Sequence, residues 1–547
     1  MRVLAFNTAH DSSVCSINDG KIEFFCKEER LTGIKRDKNP FKSLELYSSL
    51  NFGKIDHILY HTPSNDEIST EFFYRTYISK KFGVEMENYS SLKHHDCHAA
   101  LAYYNSGFDK ALTIVVDRNG SMFFVNGTPM ARESESVYVC DKNIKPIYKN
   151  FWYFPGQEYN KQKITDSIKE YYKCVTTVKS TLGIVKVYEA ATTLIGQDPL
   201  ENGKTMGLSA YGKNANYFCA RDRLFYNNVP VSSKFIHLNN NDKRTCFFNE
   251  EKQITKDITK VNYQTYADRA KLVQIETQKE VANLIETYVK KTNINNVCIV
   301  GGYGLNVVAN QFYLETMPNI NFYFEPVADD TGISIGAAML KSKIKPVPVK
   351  NNFYHYYKIE RAPGDKSELL EVCKLLEDKR SVAIFEGSPE TGPRALGHRS
   401  ILFDPRVEDG KDIINEIKNR EWYRPFAGVI LKEDLYKHYI KLPIKESPYM
   451  TINFNCKTPK LFPAITHVDG TSRMQTVDKG TLFELLKLFK RRNNCPALLN
   501  TSFNLAGQPL VYSVEDAIKV FKNSKLDAIY FADQNRLLKK DYLCYKK

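Results

Sequence analysis

Apolar and polar residues alternate with period two at the start of the chain. "RVLAF" (2–6) and "SVCSI" (13–17) read as strands, "NDG" (18–20) as a tight turn, and "KIEFFCKEE" (21–29) as the returning strand. Farther on, "ALTIVVD" (111–117) and "VCIVGGYG" (297–304) are short β-rich runs that stop at Asp or Gly. Between them, "ADRAKLVQIETQKEVANLIETYVKK" (267–291) repeats its apolar residues at helical spacing. Strands alternating with helices predict an α/β protein that holds ligands at the carboxyl ends of its strands. The pattern lapses at "KSKIKPVPVKNN" (341–352), which is rich in lysine and proline and reads as a linker. Beyond it, helix "SELLEVCKLLEDK" (367–379) and strand "SVAIFEG" (381–387) begin a second α/β region. Two domains are expected, 1–345 and 346–547.

Composition narrows the class. Of 547 residues, 42% are hydrophobic and 26% charged, ordinary for a soluble globular protein. No stretch approaches the ~18 apolar residues of a membrane span, and the N-terminal run is too short for a signal peptide. Twelve cysteines form no C-x-x-C pair, which excludes a zinc ribbon and a thioredoxin-type motif. A cytoplasmic protein with reduced thiols is expected. Seventy-seven basic against 63 acidic residues leave a net charge of +14. That is either a solvated lysine-rich surface or an attraction to phosphate-bearing ligands or nucleic acid.

"SLKHHDCHAAL" (91–101) concentrates three of the eleven histidines. His94 and His98 share one face if the segment is helical, and that spacing suits two imidazoles on one metal ion. His95 points elsewhere, and Cys97 lies off the face. Two satisfied surface histidines are the plain alternative. Asp117, at a strand end, and Asp330, in "PVADDTGISIGAA", favour the metal. Two His and two Asp suit Fe²⁺, Mn²⁺ or Zn²⁺, with Mg²⁺ a further candidate.

Two glycine-rich stretches read as loops whose backbone cradles phosphate or ribose: "GKTMGLSAYG" (203–212) and "VGGYGLNVVAN" (300–310), the latter between a strand and a helix. "GQDPLENGKT" (196–205) is not a P-loop, because its glycines are seven positions apart and a P-loop needs five. The C-terminal region collects Arg394, Arg399, Arg406, Lys418, Arg420, Arg424 and Arg473, with Thr501, Ser502 and Asn504 in "LLNTSFNLAGQP". Arginine matches oxyanions through paired N–H donors, so several converging would bind a small phosphate. Any one of them alone reads as an ordinary solvated side chain.

In order along the chain, "AHDSS", "HHDCHAA", "GKTMGLSAYG", "GGYGLN", "DDTGISIGAA", "GPRALGHRSIL", "RPFAG", "HVDGTSRMQTV" and "LLNTSFNLAGQPLV" resemble the O-carbamoyltransferases of the nodulation-factor, novobiocin and tobramycin type. The resemblance implies a duplicated actin-like ATPase domain, of the kind in threonylcarbamoyl-adenosine synthesis, followed by a YrdC-like α/β domain. It implies that carbamoyl phosphate and ATP react in the C-terminal domain. Carbamate is released and adenylated to carbamoyl-AMP, which passes to the N-terminal domain for attack by an acceptor hydroxyl. Positions matching the carbamoyl-phosphate pocket are Arg394, Lys418, Arg424, Arg473 and Ser502. Those matching the metal site are His94, His98, Asp117 and Asp330, with iron the first expectation. His10 matches a residue near the acceptor hydroxyl, a general base. Lys204, Gly207, Gly301, Gly302, Gly304, Asn306, Thr501 and Asn504 are the expected nucleotide contacts. The chain departs from the family at "DRNGS" (117–121), where Gly, a small residue, Gly and Glu usually follow the aspartate. It departs again at "SPETGPR" (388–394) and at Gly428. Arg118 then stands where it could meet an acceptor phosphate. Two acceptor classes are expected, a small-molecule hydroxyl and the hydroxymethyl group of a modified pyrimidine nucleotide or DNA. The competing readings are an N-carbamoyl transfer or maturation factor acting on protein or tRNA, and a non-enzymatic actin-like nucleotide-binding protein.

Overall fold

A computed structural model describes residues 1–8, 10–62, 67–85, 92–125, 128–153, 161–179, 182–213, 225–226, 229–230, 258–342 and 367–540. Most of the expected linker, 343–352, lies outside the described residues. Two compact units emerge. One joins Met1–Ala9 to Ile55–Val349, and the other joins His10–Lys54 to Lys350–Lys547.

The N-terminal strands are β1 (Arg2–Asn7), β2 (Ser13–Asn18), β3 (Lys21–Lys27) and β4 (His57–His61), in sheet order β3-β2-β1-β4. Strands β2 and β3 are antiparallel, with Asn18 opposite Lys21. That leaves a two-residue turn in which Asp19 (φ 48°) and Gly20 (φ 79°) are both left-handed, as a type I′ hairpin requires. Strand β4 runs parallel to β1.

The second sheet contains β5 (Ala111–Val116), β6 (Met122–Val125), β7 (Thr128–Cys140), β8 (Ile144–Tyr153) and β9 (Val175–Lys179). A short ribbon of β10 (Phe225–Tyr226) and β11 (Val229–Pro230) intervenes, then β12 (Asn296–Val300) and β13 (Asn321–Phe324) complete the sheet. Its order is β13-β12-β5-β7-β8-β9, with β6 paired to β7. Strands β5, β7 and β8 form an antiparallel run, and β12 lies parallel beside β5. Three sequential neighbours followed by a parallel strand beside the first therefore occur twice, the duplication expected of an actin-like α/β chain. Every residue of β5 is buried, because a strand with covered faces is apolar throughout.

The C-terminal sheet has eight strands: β14 (Val382–Phe385), β15 (Arg399–Phe403), β16 (Ala427–Leu431), β17 (Asn453–Asn455), β18 (Thr471–Val477), β19 (Ala497–Ser502), β20 (Ala528–Phe531) and β21 (Arg536–Lys539). The order β17-β18-β16-β19-β15-β14-β20-β21 mixes parallel and antiparallel pairs. Phe385, Phe503, Phe521 and Ile529 fill the core on one of its faces.

The first glycine-rich stretch differs from its reading as a loop. Asn202–Ser209 is an α-helix, with Thr205, Gly207 and Leu208 buried. It packs on the long helix Tyr263–Thr292. Tertiary burial of one face outweighs the helix cost of two glycines, about 1 kcal/mol each.

Candidate functional site

Three strand ends supply the first cluster. His61 is the last residue of β4, Asp117 follows β5, and Gly301 follows β12. The helix His94–Ser106 contributes His94 and His98, and Asp330 opens the short turn before the helix Ile333–Ser342. The ligand atoms of His94, His98, Asp117 and Asp330 all lie within 4.8 Å of one another, and all four residues are buried. His94 Nε2 is 3.2 Å from Asp117 Oδ2, 3.4 Å from Asp330 Oδ1 and 3.2 Å from His98 Nε2. One proton on that nitrogen cannot satisfy three neighbours, whereas one cation among them can. The residues fit a divalent metal by donor type and by convergence.

Electrostatics agree. Burial alone would lower the His94 pKa, but Asp330 and Asp117 outweigh it and raise it to about 10. Burial and Asp330 push Asp117 upward, yet its hydrogen bond to His94 and the nearby imidazoles hold it below the usual carboxylate range. A metal entering this cluster displaces that proton.

The glycines serve the aspartate. Gly301 has φ 87°, and a β-carbon there would stand 2.4 Å from the Val116 carbonyl oxygen. This turn lets Gly302 N–H donate to Asp117 Oδ1 at 2.9 Å. Gly304 N–H donates to the Gly301 carbonyl. Asn306 caps the helix Val307–Thr316 by accepting from Ala309 N–H, and it exchanges two amide hydrogen bonds with Gln274. Lys204 pairs with Glu201 at 2.7 Å and donates to Gln197. Gly207 is buried in its helix.

His95 turns off the metal face, as its position on the helix requires. Its Nδ1 meets Ser136 Oγ at 2.9 Å and Glu133 Oε1 at 3.3 Å. Lys149, wholly buried, donates to Glu133 Oε1 and to the Tyr138 hydroxyl. Arg118 is held by Glu189 Oε1 at 2.5 and 2.9 Å. An acceptor phosphate would have to displace that carboxylate.

In the other unit, His10 Nδ1 lies 2.9 Å from Asp11 Oδ2. Asp11 in turn pairs with Lys27 at 2.7 Å. The arrangement leaves Nε2 as the proton-accepting nitrogen of His10 once Nδ1 donates to the carboxylate.

The C-terminal cations divide into two groups. Arg399 is fully buried and donates to the carbonyl oxygens of Glu386, Gly387, His398 and Tyr512. Arg406 grips Asp404 at 2.6 Å. Both therefore serve the fold and leave the expected anion set, because carbonyl and carboxylate oxygens already take most of their donors. The second group crowds together. Burial, then Arg394, Arg420 and Arg424, depress the Arg473 pKa well below its ordinary value. Burial and Arg424 lower Arg420 to about 9. Burial, Arg420 and Arg424 lower the buried Lys418. Lys418 Nζ donates to the carbonyls of Ser502 and Asn504 and to Asn504 Oδ1. Ser502 Oγ donates to the same Asn504 oxygen at 2.7 Å. Thr501 pairs with Ile401 in the β15–β19 ladder, one position from this serine. Lys418 Nζ and Arg420 each lie within 3.5 Å of the Ser502 hydroxyl, so two cations share one oxygen.

In the sequence Arg420 belongs to the basic region but is not matched to the pocket, and His61 does not stand out. Clustering with arginines was the available signal for the first. The second is a lone histidine at a strand end and gave none.

Comparison with known proteins follows the same division. Residues 74–339 match the family described as carbamoyltransferase N-terminus, and 373–539 match carbamoyltransferase C-terminus. Nodulation protein NolNO of Sinorhizobium fredii is 27% identical over 95% of this chain and 78% of its own length. Nodulation protein NolO of Bradyrhizobium diazoefficiens is 29% identical over 80% of this chain and 77% of its own. A crystal structure of full-length HypF in phosphate- and nucleotide-bound form overlaps 63% of this chain and 55% of its own, with 15% identity and a TM-score of 0.38. Two family segments in order, spanning the metal-ligand cluster and the arginine cluster, make this chain a member of the carbamoyltransferase family and a transferase enzyme.

Proposed function

We propose that the enzyme is an ATP-dependent O-carbamoyltransferase that forms carbamoyl-AMP from carbamoyl phosphate and ATP and passes its carbamoyl group to an acceptor hydroxyl. The observation that carries the reading is that Lys418 and Arg420 both reach the Ser502 hydroxyl, at 3.4 and 3.5 Å, with Arg394, Arg420 and Arg424 near enough to Arg473 to depress its pKa. A dianion there relieves the repulsion and accepts paired N–H donors.

Water cleaves carbamoyl phosphate to carbamate and phosphate, and the arginines hold the phosphate oxygens. A carbamate oxygen attacks the α-phosphorus of ATP, and pyrophosphate leaves. The acceptor oxygen then attacks the carbamoyl carbon, the bond to AMP breaks, and AMP leaves. His10 takes the hydroxyl proton on Nε2, while Asp11 holds the ring and Lys27 holds Asp11. His94, His98, Asp117 and Asp330 would hold a divalent ion, with Fe²⁺ first in preference. Such an ion supplies positive charge to substrate oxygens. Lys204, Gly207, Gly301, Gly302, Gly304, Asn306, Thr501 and Asn504 remain the proposed nucleotide contacts. The acceptor is first a small-molecule hydroxyl. The net charge of +14 favours, as a second reading, the hydroxymethyl group of a modified pyrimidine nucleotide or DNA.

The test is pyrophosphate release with carbamoyl phosphate and ATP and no acceptor. Release that requires carbamoyl phosphate supports the reading. ATP cleavage indifferent to carbamoyl phosphate overturns it.

A further inference from the structure

His61 occupies a structural position that the reaction scheme leaves unexplained. Its Nε2 lies 3.0 Å from His94 Nδ1. Both rings are buried, His61 at 3% exposure and His94 at 0%. His61 Nδ1 is buried with no hydrogen-bond partner. Such an orphan is uncommon in a native interior and needs a reason. The backbone around it is fixed on both sides. His61 pairs with Asn7 in the β1–β4 ladder, and its carbonyl accepts from Thr8 N–H at 3.0 Å. Asn7 in turn donates to the Asp330 carbonyl at 3.3 Å. One rung of the ladder thus touches two of the four ligand-bearing residues.

The tautomers of the two rings are linked. If His94 carries its proton on Nδ1, it donates to His61 Nε2, and its Nε2 lone pair faces Asp117, Asp330 and His98. If instead His61 donates, the His94 proton moves to Nε2 and blocks that face. Only the first arrangement makes His94 a ligand, and it requires an acceptor where His61 Nε2 stands.

We propose that His61 is a positioning residue that fixes the His94 tautomer and ring orientation for divalent-metal binding. The inference rests on the metal-site reading above. Partners of this kind typically contribute 10–100-fold in metal affinity.

The test measures Co²⁺ binding to the full chain by its visible absorption and by competition with a chelator, alongside metal-free thermal melts. His61→Ala should weaken Co²⁺ roughly 10–100-fold. His61→Gln, whose amide oxygen accepts a hydrogen bond, should recover most of the loss, and His61→Phe, similar in bulk, should not. Wild-type affinity in His61→Ala overturns the proposal. So do equal affinities for His61→Gln and His61→Phe, which keep the test decisive if His61→Ala fails to fold. Absence of Co²⁺ binding by the unmutated protein instead overturns the metal-site reading, and this inference with it.

Discussion

Gly336 lies so close to Cys97 that a β-carbon built on it would stand 2.0 Å from the Cys97 carbonyl oxygen. The contact locks the helix Ile333–Ser342, which follows Asp330, onto the helix that carries His94 and His98. Gly336→Ala must push backbone against backbone, with no flexible side chain to yield. We expect a loss of about 1–3 kcal/mol or more, read as a lower denaturant midpoint, and weaker divalent-metal binding. A variant with unchanged midpoint and metal affinity would show that the helices can separate freely.

His98 and His95 belong to one helix but should fail differently. His98→Ala removes a ligand and should abolish carbamoyl transfer and lower metal affinity, with the fold intact. His95→Ala leaves the Glu133–Lys149 pair in place but removes a buried hydrogen-bond partner of Ser136 and Glu133, a change worth about 1–3 kcal/mol. Paired melting curves and metal titrations distinguish the two. Full activity of His98→Ala, or of the wild type after rigorous chelation, would sink the ligand assignment.

Arg473→Ala should eliminate carbamoyl-phosphate-dependent pyrophosphate release, because it removes a guanidinium from the anion cluster. It also relieves like-charge repulsion, so its melting temperature should hold or rise. Arg399→Ala should do the reverse to stability, taking their buried donor from the carbonyls of Glu386, Gly387 and Tyr512, at about 1–3 kcal/mol for each left unsatisfied, while the His398 carbonyl keeps Glu386 N–H. If pyrophosphate release survives in Arg473→Ala while only transfer to acceptor fails, the assignment of the first half-reaction to the arginine cluster is wrong.

These contrasts show what a linear pattern carries. The convergence of His94 and His98 was legible because their spacing is about one helical turn, and that of Asp117 because a polar residue ends an apolar strand. His61 was not, since its only relation to His94 is made by pairing β4 with β1. Arg399 and Arg473 look alike in sequence. Their difference is what surrounds them, four backbone carbonyls for Arg399 and the cations Arg394, Arg420 and Arg424 for Arg473. The helix at Asn202–Ser209 departs from the loop its glycines suggest, because glycine marks loops only where no buried face outweighs its entropy. The N-terminal hairpin, by contrast, was fully local: two residues with positive φ determine it.

Stability should fall as pH rises through neutrality. Glu325 is fully buried, and burial pushes its carboxyl from an ordinary 4.5 up to about 7, against hydrogen bonds from Val327 N–H, Asn105 and Tyr323. Between those two values the folded chain binds more protons at this site than the unfolded chain. Stability present below pH 4.5 is therefore lost progressively as pH rises towards about 7. The full effect is on the order of 3 kcal/mol. Glu325→Gln should flatten this component, melting higher than wild type at pH 8 and about equally at pH 5. Parallel melting curves at both pH values would remove Glu325 as the source.

The charge of +14 separates the two acceptor classes. A hydroxymethyl base within DNA would bring phosphates with it, and each phosphate neutralised releases counterions. Binding should then weaken steeply with salt, with a log–log slope of roughly −0.9 per contact on duplex or −0.7 on single strands. Arg118, beside Asp117, was the natural phosphate contact by position, but Glu189 holds it at 2.5 Å. A phosphate-binding role for Arg118 therefore predicts a specific result: Glu189→Gln should free the guanidinium and strengthen DNA binding, while Arg118→Ala should reduce the slope by about one contact. DNA binding measured at two salt concentrations, for wild type and both variants, decides the matter. If no binding appears at low salt even in Glu189→Gln, the excess lysines are a solvated surface, and a small-molecule hydroxyl is the acceptor class that remains.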